Sequence, residues 1–358
     1  MRDQLQNSAP AVHAGHTTQH VVASGTPTQH LRKPARDARV SVVYVTHRQQ
    51  PRFDWFADSL ARQLRDDDDI EVIFVDGLHS SRRRSELDRV VAGRFAFRHV
   101  TPKPSPYNGP HRLTSRDYWA ASSARNTGIL HSTGSYVAFI DDISVLGPHW
   151  MSEVRQAAAQ GYVVAGAFDR RWGMDVKAGR MLTGRIEAGR DLRWHLGDDT
   201  GVVEVVGGQW YTNTCGAPRE LLLSVNGFDE LCDLVGGEDF HLGIRMEWSG
   251  TTIYYSRRML MIESEDLARL DESPRRLDKL AEEQFYMQRL LDFGVPERST
   301  EGRCDNSHLI LDILYGTRSI RSIGNYYELA ELNEANLLET VEHFPRYHWF
   351  DQQPLSEL

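Results

Sequence analysis

Two pairs of adjacent carboxylates stand out as groups able to do chemistry: Glu238 and Asp239 in "GGEDFHLGIR", and Asp141 and Asp142 in "FIDDIS". A carboxylate within hydrogen-bond reach of a hydroxyl can take its proton while the oxygen attacks an electrophile. Two hard carboxylate oxygens at the mouth of a crevice can hold Mg2+ or Mn2+, which would neutralise a diphosphate. Each pair also has a purely structural reading. Phe240, Ile244 and Trp248 recur at helical spacing, so Asp239 falls where a helix takes an N-cap. Asp141 and Asp142 follow an apolar strand and could simply open a turn.

The elements around these pairs decide where they can meet. "RVSVVYVTHR" is an apolar run of strand length, "FDWFADSLARQL" carries apolar residues at helical spacing, and "IEVIFVDG" is a second buried strand. Strand, amphipathic helix and buried strand make a βαβ unit, so the fold class is α/β with a mostly parallel sheet covered on both faces. "FAFRHV", a helix near 117–131 and "SYVAFI" continue the pattern. The apolar runs stop abruptly at Thr46, Asp76 and Asp141. Ligands of open α/β sheets gather beyond the carboxyl ends of the strands, so these three residues should line one crevice. Residues 169–200, rich in Arg, Gly and Trp, show no strong periodicity and read as a lid or loop.

Composition sets the outer limits. The chain has 358 residues, 40% of them hydrophobic and 25% charged, as expected of a soluble globular protein with one large core and an appended subdomain. A formal charge of -9 disfavours nucleic acid as a partner, though a local basic groove stays possible. Three cysteines, Cys215, Cys232 and Cys304, are too scattered for a disulfide framework or a zinc pattern. With no apolar stretch long enough for a membrane span and no secretory signal pattern, the expected location is the cytoplasm. The expected organisation is a disordered polar tail over 1–38, an α/β domain over 39–265 and a helical extension over 266–358.

In order along the chain, "VSVVYVTHR", "VIFVDG", "SSARNTGI", "YVAFIDD" and "VNGFDE" followed by "GGEDFHLGIRMEWSG" resemble the motifs of family 2 glycosyltransferases with the GT-A fold. The last two are similar to a galactosyltransferase-type "GFDE…GGED" signature. The resemblance implies a nucleotide-sugar donor, UDP-linked in most of the family, and an acceptor hydroxyl, most simply on a carbohydrate. It implies that Thr46, Arg48, Asp76, Arg125, Asn126 and Asp141 border the nucleotide-sugar, with Asp76 reading the base. It places Asp239 as catalytic base with Glu238 beside it, and Trp210 and Asn213 of "GGQWYTNTCG" near sugar and acceptor. A half-buried core position is an equal reading of Trp210.

The resemblance also implies a divalent cation, Mn2+ or Mg2+, on Asp141 and Asp142. The family pattern there is Asp-x-Asp, whereas this chain has the apolar Ile143 at the third position. Glu263 in "MLMIESED" is a possible oxygen ligand in compensation. A single base on the acceptor side implies in-line displacement, hence inversion at the anomeric carbon, and the resemblance implies a hexosyltransferase-type enzyme. The chain lacks the Gln-x-x-Arg-Trp element of processive synthases, so one sugar per event is expected. Two alternatives stay open: a nucleotide-sugar-binding protein without turnover, suggested by Ile143, and a glycosyltransferase acting on a modified nucleic-acid base. A nicotinamide enzyme is disfavoured, because "THRQQPRFDW" after the first strand offers no Gly-rich turn for a pyrophosphate.

Overall fold

The computed structural model describes residues 39–103, 105, 108, 119–186, 190–230, 233 and 237–270. The polar tail and all but the first residues of the helical extension expected from the sequence lie outside them, as do Cys232 and Cys304. The first half holds β1 (Val40–Thr46), α1 (Phe53–Ala61), β2 (Ile70–Asp76), α2 (Ser81–Val91), β3 (Ala96–Val100), α3 (Ala121–His131), β4 (Tyr136–Asp141), β5 (Ser144–Leu146) and α4 (Trp150–Gln160). Then come β6 (Val163–Lys177), β7 (Arg180–Ile186), β8 (Val203–Val205), β9 (Thr214–Pro218), α5 (Arg219–Ser224), α6 (Glu238–Trp248), β10 (Ile253–Ser264) and α7 (Glu265–Arg269).

Every residue of β1 and β2 is buried, as a strand covered on both faces requires. Alternate residues go to opposite sides. Val42, Tyr44, Val72 and Phe74 pack with Phe56 of α1 on one face, while Val43, Val45, Ile73 and Val75 pack with Ala124 and Ile129 of α3 on the other.

The sheet runs in the order β3-β2-β1-β4-β9-β6-β10-β5. Strands β3, β2, β1 and β4 are parallel, and β6 pairs in parallel with β10. Strand β9 lies antiparallel between β4 and β6, so β6 and β10 run in the same direction as β4 and end at the same edge of the sheet. The register pairs Thr46 with Asp76 and Val45 with Asp141. The three strand ends picked out by their sequence therefore adjoin one another.

Two expectations are corrected. Residues 169–186 are not a lid or loop but a β-hairpin, β6 running on to pair with β7 around Ala178 and Gly179. Both sides of this ribbon carry exposed residues, which is why no apolar period marks it. Asp239 is also not an N-cap. The cap is Gly237, with no side-chain cap bond and φ 78, a left-handed conformation that glycine adopts without steric cost. Glu238 and Asp239 are thus the first two residues of α6 itself.

Candidate active site

The chain turns sharply after β4. Ile143, fully buried, has φ 51, a genuine outlier for a β-branched residue and one that costs about 1–3 kcal/mol. Its N–H donates to Pro51 O at 2.8 Å and its carbonyl accepts from Ser264 N at 3.1 Å, so β10 and the segment before α1 hold the turn. The turn separates the fates of the two aspartates. Asp142 is pulled inward: Oδ2 accepts from Thr46 Oγ1 at 2.5 Å and Oδ1 from Arg48 Nε at 3.1 Å. Burial pushes its carboxyl up to about 7, against the opposing pull of Arg48 and Thr46. Asp141 keeps its side chain 33% exposed, with Oδ1 accepting from Arg125 Nη2 at 3.0 Å.

Arg125 connects this turn to the other acidic pair, since its Nη1 donates to Glu238 Oε1 at 2.9 Å. Burial opposes its charge, but the Asp141, Glu238 and Asp239 carboxylates outweigh it and hold the guanidinium above the ordinary arginine range. Glu238 is buried at 6% exposure, whereas Asp239 beside it is half-buried. Helix α6 is seated closely: a Cβ on Gly243 would lie 2.1 Å from Gly207 O, so only glycine permits this approach. Buried Arg245 donates to Val225 O at 2.5 Å and to Gly227 O, pinning the middle of the helix.

Other expected site residues fall differently. Asp76 ends β2 as expected, but it is fully buried. Oδ1 accepts from Leu78 N at 2.9 Å, and Oδ2 accepts from Arg83 Nε at 2.5 Å and meets His99 Nε2 at 2.8 Å. In this arrangement its carboxylate is saturated by the chain's own donors and does not face a base. Asn126 is likewise engaged by the chain itself. Its Nδ2 donates to Phe228 O at 3.0 Å and Glu230 Oε1 at 2.8 Å, while Oδ1 accepts from Phe228 N at 2.9 Å. Trp210 is 0% exposed and packs with Phe139 and Phe228, a core position in this arrangement. Asn213 does reach the strand end, its carbonyl accepting from Asp141 N at 3.1 Å.

The three carboxylates expected to bind a cation do not fit one as they stand. Asp141 carries Arg125, Asp142 carries Arg48, and Glu263 Oε2 accepts from Arg170 Nε at 3.0 Å. Burial, with Asp141 adding to it, raises Glu263 despite Arg170. Among the described residues no group of three or more His, Cys, Asp or Glu is disposed to hold a metal ion.

Several contributors escape a reading by sequence. Asp233 accepts from Ser122 N at 2.7 Å and Ser123 N at 3.2 Å, capping α3 from 111 residues away. Lys103 forms a buried pair with Glu230 at 2.6 Å. The "GFDE" stretch thus braces the helix that carries Arg125. His47 and Trp119 stack at 4.7 Å between ring centroids, 22° apart in plane, and both lie against Gly77, a flat shelf at the ends of β1 and β2. In "RRR", Arg82 and Arg84 pair with Glu86 and Asp88 on the helix surface, while Arg83 turns in to Asp76.

The glycosyl transferase family 2 model matches residues 41–206, a span that includes Thr46, Arg125, Asp141 and Asp142 and ends before Glu238. The structure of S. aureus TarS 1-349 in complex with UDP-GlcNAc superposes with a TM-score of 0.52 at 13% identity, covering 84% of this chain and 79% of that one. The fold is GT-A. GalNAc-T7 with UDP, GalNAc and Mn2+ superposes at 0.51 and 12% identity, over 86% of this chain but only 55% of that one. No curated protein matches the sequence. The family match and the GT-A fold agree with each other. Among the described residues of this GT-A domain, no helix is long and apolar enough to cross a membrane.

Proposed function

We propose that the protein is an inverting, hexosyltransferase-type enzyme of family 2 that moves one sugar from a UDP-sugar to an acceptor hydroxyl, acting in the cytoplasm. The observation that carries the reading is the bridge through Arg125, which ties the strand-end pair to the helix-start pair. Donor and base then stand on rigid supports, with a single guanidinium fixing their separation.

Glu238 is committed to Arg125 and buried, so the half-buried Asp239 is the carboxylate that an acceptor can approach. Asp239 takes the hydroxyl proton as the oxygen attacks the anomeric carbon, while the nucleoside diphosphate leaves from the opposite face. Its place in the first turn, at the positive end of the helix dipole, favours the ionised form that a base requires. Asn213 adjoins Asp141 through its backbone carbonyl and its Oδ1 accepts from Thr214 N at 3.0 Å, so its proposed bond to a sugar hydroxyl falls to the amide Nδ2. The UDP preference rests on the two neighbours that carry UDP or UDP-GlcNAc. If uracil enters at the end of β2, Arg83 must release Asp76, and the His47–Trp119 shelf is the adjacent flat surface.

A screen of nucleotide-sugars for slow release of free sugar, with and without carbohydrate acceptors, tests this reading. One UDP-sugar should be turned over well above the rest. UDP binding with no sugar release from any donor would favour the non-catalytic binder instead.

A further inference from the structure

Among the described residues, the three carboxylates expected to hold a cation each already face a guanidinium. Asp142 meets Arg48 at 3.1 Å, Asp141 meets Arg125 at 3.0 Å, and Glu263 meets Arg170 at 3.0 Å. These pairs share one field, since Asp141 acts on Arg170 and both Asp141 and Arg48 act on Glu263. We infer that the domain holds its donor's diphosphate with arginine, foremost Arg170, and binds UDP without a divalent cation. The inference rests on the transferase reading above.

The physical argument has three parts. A hard dication needs about six oxygens, but the third position of the aspartate motif is the alkyl side chain of Ile143, locked in a left-handed turn by Pro51 and Ser264. To recruit Asp142, an ion must break the Thr46 and Arg48 bonds and then sit beside the guanidinium it displaced. That guanidinium repels a dication and attracts a diphosphate, whose oxygens match its planar fork. Finally, Arg170 is 48% exposed while its partner Glu263 is 13% exposed, so the cation, not the carboxylate, is presented to a ligand. Asp142 and Glu263 are then positioning residues, one aiming Arg48 and the other aiming Arg170.

Calorimetric titration of the full chain with UDP, in excess EDTA and again with Mn2+, tests the inference, with Mn2+ alone as a third arm. The expected result is the same UDP affinity within about twofold in both buffers, and no saturable uptake of Mn2+ alone. Arg170→Gln, whose fold is checked by its melting temperature, should weaken UDP about tenfold or more in EDTA, the scale of a lost charge-assisted bond. Glu263→Gln should bind UDP more weakly than wild type, and no better when Mn2+ is added. UDP binding that requires Mn2+ would overturn the inference, as would saturable Mn2+ uptake that Asp142→Asn abolishes. Unchanged affinity in Arg170→Gln would overturn the role of Arg170. No UDP binding in either buffer would overturn the UDP-sugar reading itself, and this inference with it.

Discussion

The two acidic doublets, Asp141–Asp142 at the end of β4 and Glu238–Asp239 at the start of α6, rest on opposite kinds of support. In the first, a strained turn at Ile143 sends Asp142 inward to Thr46 and Arg48 and leaves Asp141 a third exposed. In the second, a left-handed Gly237 starts a helix whose first residue is buried against Arg125 and whose second is half-buried. Strand end and helix start divide their carboxylates alike, one buried against an arginine and one more open to solvent. The difference lies in what surrounds the more open member. Asp141 bonds Arg125 directly and shares it with Glu238, whereas Asp239 acts on the same guanidinium through its charge from the first turn of a helix, whose dipole favours the ionised carboxylate. Counting carboxylates in a motif therefore overstates how many can act on a substrate.

The sharpest way to break this pairing is to remove the arginine both doublets share. Arg125→Met strands the Glu238 carboxylate, already buried, and is expected to cost about 3–5 kcal/mol of stability, the usual cost of an orphaned buried charge. Urea denaturation reads it directly. A cost near zero would mean that the doublets are held independently.

Asn126→Ala tests the brace behind Arg125 rather than the site itself. It removes three bonds to Phe228 and Glu230 and is expected to cost about 2–3 kcal/mol, with UDP affinity unchanged in calorimetry. A selective loss of UDP binding with stability intact would restore Asn126 as a nucleotide contact.

A further test reads the anchored Asp142 by pH. Burial raises Asp142 from 3.8 to about 7 in the folded protein, so the folded state keeps a proton that the unfolded state has already lost. The stability this group contributes is present in full below its unfolded value and is lost as pH rises towards 7, at no more than about 1.4 kcal/mol per pH unit. Asp142→Asn does not titrate. Its stability relative to wild type should therefore climb from about pH 4 to pH 7, measured by denaturant midpoints, and a constant difference would contradict the assignment.

Some of this arrangement was legible in the sequence, and the reason is local. Thr46, Asp76 and Asp141 end long apolar runs, and parallel pairing brings such ends together. What those side chains do there was not legible, because Arg83, which saturates Asp76, and Asp233, which caps α3, carry no local mark of their partners. Trp210 shows the same limit: its residue type suits a sugar face as well as a core, and only packing against Phe139 and Phe228 decides. The start of α6 was displaced because an Asp is a preferred cap, and nothing in "VGGEDF" tells which residue takes the left-handed turn. The β6–β7 hairpin was missed for want of a buried face to impose a period.

Division of labour within the helix-start doublet is the central claim, and comparing Asp239→Asn with wild type for sugar transfer and UDP binding in parallel tests it most directly. Asn keeps the shape of the side chain at the second position of α6 but cannot accept a proton at neutral pH. Turnover should fall by roughly 10²–10⁴, the usual worth of a general base, while UDP affinity and melting temperature stay close to wild type. Near wild-type transfer by Asp239→Asn would contradict the account, because the half-buried member of the pair would then be structural and the proton would have to leave by another group.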